Sequence, residues 1–428
     1  MLFSSMMIMA SAAIYAAGQN AISSTTESFG RLWAKSILAE YDQNLKDRYG
    51  MFAYYGNEQL TGQKLDYYAA NTASYKKYIK YEVTSCELDD YKLLTEENFL
   101  SQVEAAVLAG VKPKALVRDA SSALETSADS ETDADSDSSA GSGSNSGSAS
   151  TGVSGGEYGS RYVKNERIIK ALPSGGLEGG ISVTSLAEKL KDGISADSLI
   201  SSSAQHVYIF KYFKDYLHER ELGETYFQNE IEYILTGKLD DQKSKKKVGN
   251  SVIVLRNALN LAYLYSCQEK RDAALAVAEI LMPTAPIITQ ALILEGWAYM
   301  EARNDLKILY DGKQVPIMKA DENWAISLEN LLAAEYGVDT EGNELSGEYK
   351  EKKSYVSPQK IEGKDYEFYL KILVSAMPTD TLSKRMMDLI QINMKYLYCD
   401  YFLVEDYYVG VKYSIEVNGK SHEFEEKY

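Results

Sequence analysis

VGVKYSIEVNGKSHEF, residues 409–424, places Val409, Val411, Tyr413, Ile415 and Val417 at every second position. Successive side chains of an extended chain point to opposite faces, so this spacing predicts a strand with one apolar face. Asn418-Gly419 suits a two-residue type I′ turn, which needs positive φ at both positions. The chain is therefore expected to return through Lys420 to Phe424 as a hairpin. Gly50 to Tyr55 (GMFAYY) and Lys77 to Val83 (KYIKYEV) also read as strands, the second with imperfect alternation. Strand character at both ends of the chain predicts that 50–83 and 402–424 share one sheet.

Between these ends the apolar spacing turns helical. Tyr67 to Tyr75 predicts a short helix, and Thr95, with Glu97 and Asn98 behind it, predicts a capped helix through Ala109. Val252, Leu255, Leu259, Ala262 and Tyr263 form one stripe, and Ala274, Val277, Ala278 and Leu281 a second that Pro283 ends. Pro286 suits the first turn of a helix from Ile287 to Arg303 carrying Ala291, Leu294, Trp297 and Ala298. No unit recurs at a fixed period, which excludes a solenoid. Asp311-Gly312, between Ile308–Tyr310 and Lys313–Met318, predicts a second hairpin, with Pro316 confining its return strand to an edge or bulge. Thr379 is expected to cap a helix with Leu382, Met386, Leu389, Ile390, Asn393 and Leu397 on one side. The fold class is α+β: an N-terminal hydrophobic helix leading into an antiparallel sheet, with a larger helical subdomain over 251–304.

No charged side chain occurs from Met1 through Thr26, and Leu2 to Ala17 (LFSSMMIMASAAIYAA) is mostly Met, Ile, Leu, Phe and Ala. A span needs about 20 apolar residues, a length reached only by extending to Ile22, so the segment is a short candidate membrane anchor. A cleaved signal is the competing reading: Ala16, Ala17 and Gly18 are small, but a basic n-region is missing. That lack raises the expectation of a start further upstream. Phe29, Leu32, Trp33, Ile37, Tyr41 and Leu45 then recur at three and four, with Lys46, Arg48 and Gly50 supplying C-terminal helix chemistry. A membrane segment running into an amphipathic helix and then a head is a pilin-like layout; the same stripe would also serve an ordinary core helix. Arg31 and Lys35 follow the segment and no basic residue precedes it, which tends to favour the reverse orientation.

The 428 residues carry a net charge of −17, which argues against broad nucleic-acid contact. The strongest basic run, Lys243 to Lys247 (KSKKK), reads as a solvated loop. Cys86, Cys267 and Cys399 are far apart, and His206, His218 and His422 lack ligand spacing, so no disulfide framework, metal site or cofactor is expected. Ser121 to Gly156 is almost all Ser, Gly, Ala, Asp, Glu and Thr, too polar to offset ordering entropy, and predicts a disordered linker. Its acids lack the Gly and terminal Glu of a calcium loop. The expected organisation is therefore a membrane anchor over 1–26, a pilin-like helix and first α+β part over 27–120, the linker over 121–156, and a main α+β domain over 157–428.

Several strings together carry a likeness: FGRLWAKSILAEYDQNLKDRYGMFAYYG from Phe29, NEIEYILTGK from Asn229, IVLRNALNLAYL from Ile253, GWAYMEARNDLKILYDGKQVPIMK from Gly296, and YEFYLKILVSAMPTDTLSKRMMDLIQINM from Tyr366. They resemble an uncharacterised family of membrane-anchored, mostly Gram-positive bacterial proteins known as a domain of unknown function. Members of that family are found with tight-adherence (Flp-type) pilus assembly components and TadE-like and TadG-like minor pilins. The resemblance implies a single-pass protein with its bulk outside the membrane, an accessory or pilin-like part of a pilus apparatus, with no known activity. One departure stands out: processed pilins carry an acid shortly after the processing point, whereas the first acid here is Glu27.

No nucleophile elbow, zinc-protease helix or phosphate loop is present. His206 and His218 read as surface or structural histidines, and Asp240-Asp241 and Asp89-Asp90 point apart, as adjacent residues do on most backbones. A non-enzymatic, extracytoplasmic protein is expected, with the membrane through Leu2 to Ile22 and a pilus or secretion apparatus as partners. An exported enzyme or a secreted binding module are the alternatives. The candidate interaction residues are Trp297, Glu301, Arg303, Gly312, Val315, Pro316 and Trp324, with Arg385, Asp388, Gln391 and Asn393. They read as a partner groove beside the Asp311-Gly312 hairpin or as a polar clamp tying helix to sheet, with Arg385 and Asp388 as an exposed intrahelical pair.

Overall fold

The computed structural model describes residues 2–73, 79–110, 168–175, 186, 203–218, 224–345 and 362–428. The linker expected over 121–156 lies outside them. The first part contains α1 (Leu2–Leu38), α2 (Gln43–Tyr49), β1 (Tyr54–Tyr55), α3 (Glu58–Ala73), β2 (Tyr81–Glu87) and α4 (Glu96–Gly110). The second contains α5 (Ala204–Tyr212), α6 (Glu230–Thr236), α7 (Asp241–Ser266), α8 (Gln268–Leu281) and α9 (Pro286–Tyr310). It closes with α10 (Tyr366–Ser375), α11 (Thr379–Leu397), β3 (Tyr407–Tyr408), β4 (Gly410–Val417) and β5 (Lys420–Lys427). This mixture of helices and antiparallel strands agrees with the α+β expectation.

The C-terminal hairpin forms as expected. β4 and β5 pair from Val417↔Lys420 to Gly410↔Lys427, and Asn418 and Gly419 take φ of 50° and 78°, the positive values a type I′ turn requires. The two ends of the chain also meet in one sheet, ordered β2-β4-β5, with Tyr81 opposite Val417 and Glu87 opposite Lys412. A register shift between Val83 and Ser85 marks a bulge at Thr84. A second, two-stranded ladder pairs Tyr54 with Tyr408.

One face of this sheet is covered by the second half of α1. Trp33, Ala34, Ile37 and Leu38 pack with Tyr81, Val411, Tyr413, Ile415, Val417 and Phe424. A larger core joins α2 and α4 to α5, α6, α7, α10 and α11, so it takes residues from both sides of the undescribed 111–167. A third core lies among α7, α8 and α9.

Several expectations change. The stripe from Phe29 to Leu45 is divided, because α1 ends at Leu38 and Asp42 starts α2 by accepting bonds from the N–H groups of Asn44 (2.8 Å) and Leu45 (3.1 Å). Leu32 faces solvent. Gly50 ends α2 at φ 67°, as its position beyond Lys46 and Arg48 implied. Of Gly50–Tyr55 only Tyr54–Tyr55 is strand, and the next strand starts at Tyr81; Lys77 and Tyr78 lie outside the described residues. The helix expected from Tyr67 starts at Glu58. Lys243–Lys247 is helical, not a loop, since Asp240 caps α7 by accepting from Lys243 N–H at 2.9 Å. Thr379 begins α11, but Pro378 holds the cap position without a side-chain bond.

The second hairpin is not formed. α9 runs on through Tyr310, and Gly312, at φ 72°, closes it: its N–H bonds Leu309 O at 3.0 Å and that of Lys313 bonds Ile308 O at 3.1 Å. This is a Schellman cap, which needs the same positive-φ glycine as a hairpin turn. Val315 bridges instead to Lys364, with bonds of 3.0 and 2.9 Å.

Candidate interaction surface

Of the residues singled out beside the expected hairpin, Trp297 lies in the third core and Trp324 packs against it, whereas Val315 belongs to the largest core. Trp297 and Trp324 meet edge to face at 5.8 Å, and their indole N–H groups both donate to Ile326 O, at 2.6 and 2.8 Å. Glu301 is fully buried and accepts from the N–H groups of Ala325 (3.0 Å) and Ile326 (2.8 Å) and from the ammonium of Lys319. Lys319 also reaches Asp305 Oδ1 at 2.7 Å, while Asp305 Oδ2 accepts from Arg256 Nε at 2.9 Å. Arg256 Nη1 donates to the carbonyls of Pro316 and Ile317, each at 2.9 Å. Burial would raise the Asp305 carboxyl, but Arg256 and Lys319 outweigh it and hold it below its ordinary value. Arg303 and Gly312 stand apart on the surface. The network was missed in the sequence, although Arg256 and Asn260 share one face of α7 at a spacing of four.

Arg385, Asp388, Gln391 and Asn393 are all buried on α11, so Arg385 and Asp388 are not an exposed pair. Arg385 Nη1 donates to Ile234 O at 2.8 Å, and Asp388 accepts from Ser174 N–H (2.9 Å) and the Tyr233 hydroxyl (2.7 Å). Gln391 Nε2 donates to Ala171 O (2.7 Å), and its Oε1 accepts from Val404 N–H at 3.0 Å. Asn393 accepts from Tyr226 N–H (2.9 Å) and donates to the Tyr49 hydroxyl (2.9 Å) and Glu230 Oε1 (2.7 Å). Burial pushes the Glu230 carboxyl up to about 7 despite these bonds. Both groups of residues act as clamps between helices and irregular segments, with their polar atoms turned inward.

The surface most in need of a partner lies elsewhere. Every residue from Phe3 to Gly18 is exposed, among them Phe3 (74%), Ile8 (70%) and Ile14 (73%). The helix begins to bury side chains only at Ile22 and Thr26, and reaches the sheet at Gly30, whose carbonyl accepts from the Tyr413 hydroxyl. Between arm and body, Thr25, Thr26 and Ser28 donate to the carbonyls of Ala21 (2.7 Å), Ile22 (2.9 Å) and Ser24 (2.9 Å). These bonds satisfy the hydroxyls within the helix itself. Among the described residues no helix is long and apolar enough to cross a membrane.

Residues 159–419, more than half of the chain, match the model of a family of unknown function (DUF5702). No curated protein and no solved structure matches the chain.

Proposed function

The chain belongs to this family of unknown function, and on that premise we propose that it is a non-enzymatic extracytoplasmic protein held at the cell membrane by the exposed half of α1. The observation that carries the reading is a helix with two unlike halves. Residues 3–18 are exposed and carry no charge, mostly Met, Ile and Ala with Ser4, Ser5 and Ser11 between them, while Trp33, Ala34, Ile37 and Leu38 of the same helix are buried against the sheet. A patch of this kind marks a surface that something else covers. Lipid is the occupant that suits it, because a mostly apolar helix without a charged residue has no strongly polar face to leave in water.

Leu2 to Ala17 supplies about 24 Å of apolar helix at roughly 1.5 Å per residue, against about 30 Å of hydrocarbon. A shortfall of that size is met by local thinning of the bilayer, at fractions of a kcal/mol per Å. A projecting helix whose second half lies on an antiparallel sheet is also the pilin-like layout. The likeness of the quoted strings to membrane-anchored companions of tight-adherence pilus components supports an accessory role in such an assembly.

Membrane fractionation of the tagged full chain, beside a variant lacking residues 2–22, tests the anchor. The full chain is expected in the membrane pellet after alkaline carbonate washing, and the deletion variant in the soluble fraction with a far-ultraviolet helical signal lowered only by the residues removed. Full-length protein recovered intact from the cytosol would remove the anchor. Crosslinking in cells tests the assembly role, which fails if lipid and cell-wall material are captured without any pilus component.

A further inference from the structure

We propose that Asp215, His218 and Glu367 bind one divalent cation of the zinc class, fastening the segment after α5 to the first turn of α10. The cluster is far from the arm in sequence and uses none of its residues. Asp215 Oδ1 accepts from the N–H groups of Leu217 (2.8 Å) and His218 (3.0 Å), which forms an Asx turn and brings the imidazole back over the carboxylate. His218 Nδ1 then lies 3.0 Å from both Asp215 oxygens. Glu367 comes from a different element, one residue beyond Tyr366 in the first turn of α10, and one ligand atom from each of the three residues lies within 4.8 Å of the others.

Zinc ligands stand about 2.0–2.2 Å from the ion. Asp215 and His218 are already close enough for that, and Glu367 brings a third ligand atom within 4.8 Å of theirs. One imidazole and two carboxylates match zinc in preference to calcium or magnesium, which favour oxygen alone. The side chain of Asp215 is wholly buried and that of His218 is 41% exposed, so an ion has an entry path.

A second observation lies under the cluster. Glu232 is fully buried and its Oε1 accepts from Tyr216 N–H (3.1 Å) and the Tyr366 hydroxyl (3.0 Å), neighbours in sequence of two of the three ligands. Its Oε2 has no hydrogen-bond partner. Carboxylates gathered out of water are costly without a counter-charge, and a dication supplies it. Lys371 is the internal competitor, paired with Glu367 at 2.9 Å from a half-buried position one turn on.

The test uses the full chain, stripped with a chelator and desalted, then titrated with zinc chloride by calorimetry. Cobalt(II) is added in parallel for its visible absorption spectrum. One equivalent of zinc is expected in the micromolar range, with a rise in melting temperature. Both signals should weaken by about tenfold or more in His218→Ala and in Glu367→Gln. Lys371→Ala, which removes the competing ammonium, should bind more tightly. Both ligand substitutions fall on partly exposed side chains, and unchanged circular dichroism would establish that those variants fold. No binding at millimolar zinc, equal binding by wild type and both ligand variants, or weaker binding by Lys371→Ala would each overturn the site.

Discussion

A methyl group on residue 30 would meet three atoms of the Phe424 ring at 2.4–2.6 Å, closer than non-bonded carbons approach. Glycine costs about 1 kcal/mol in a helix interior, and here its bare backbone lets α1 lie on β5. Gly30→Ala should therefore lower the unfolding free energy by about 1–3 kcal/mol in denaturant titration, through overpacking. Gly18 has nothing within 4 Å, so Gly18→Ala should be neutral or raise stability by about 0.5–1 kcal/mol. Equal losses in the two variants would refute the contact. Glu230 sets a pH dependence of definite sign. Its carboxyl is raised to about 7 by burial, so the fold favours the protonated form. That stability is complete below about pH 4.5 and is lost as pH rises through 7. Unfolding free energies from urea titration should fall between pH 5.5 and 8, by on the order of 1–3 kcal/mol from this group, and Glu230→Gln should flatten that slope. Asn393 shows how far residues could be read in advance. A polar side chain on an apolar stripe announced a buried hydrogen-bonded group, but its partners Tyr49, Tyr226 and Glu230 come from two distant segments that no local spacing brings together.

Elements were legible where one local rule decided them. Val409 to Val417 has strict alternation and a turn that admits few residue types, and both strands and turn appear in place. Asp311-Gly312 failed for a specific reason: a positive-φ glycine ends a helix as readily as it turns a hairpin, and the apolar run of α9 extends to Leu309. The third core rests on charges that the same reading overlooked. Asp305 accepts from Arg256 and Lys319, all three side chains almost wholly removed from water. Asp305→Ala leaves the buried Arg256 guanidinium without a carboxylate, while Lys319 keeps Glu301, and should cost about 3–5 kcal/mol. A double change of Arg256 and Asp305 to apolar residues of similar volume, which leaves the Lys319–Glu301 pair in place, should lose less than the single one. Thermal melts of the two variants decide this, and a larger loss in the double variant would contradict the network.

At the scale of the whole molecule, β2 and β4 are separated by more than three hundred residues yet share a ladder, and the largest core mixes α2 and α4 with α5, α6 and α11. A specific protease site placed within residues 121–156 should thus yield two fragments that co-elute in buffer and part only in denaturant. Fragments that separate without denaturant would show that the shared core does not hold them. Strand character at both chain ends was enough to foresee the common sheet; the cluster of Asp215, His218 and Glu367 was not foreseeable, because it depends on α10 arriving beside a turn about 150 residues earlier. α1 is continuous from Leu2 to Leu38, without a break between arm and sheet. Its winding consequently acts as an angular gauge: each residue inserted between Gly18 and Ser24 would rotate the body by about 100° about the helix axis and raise it by about 1.5 Å. The direction in which the body faces its neighbours is thus written in a residue count.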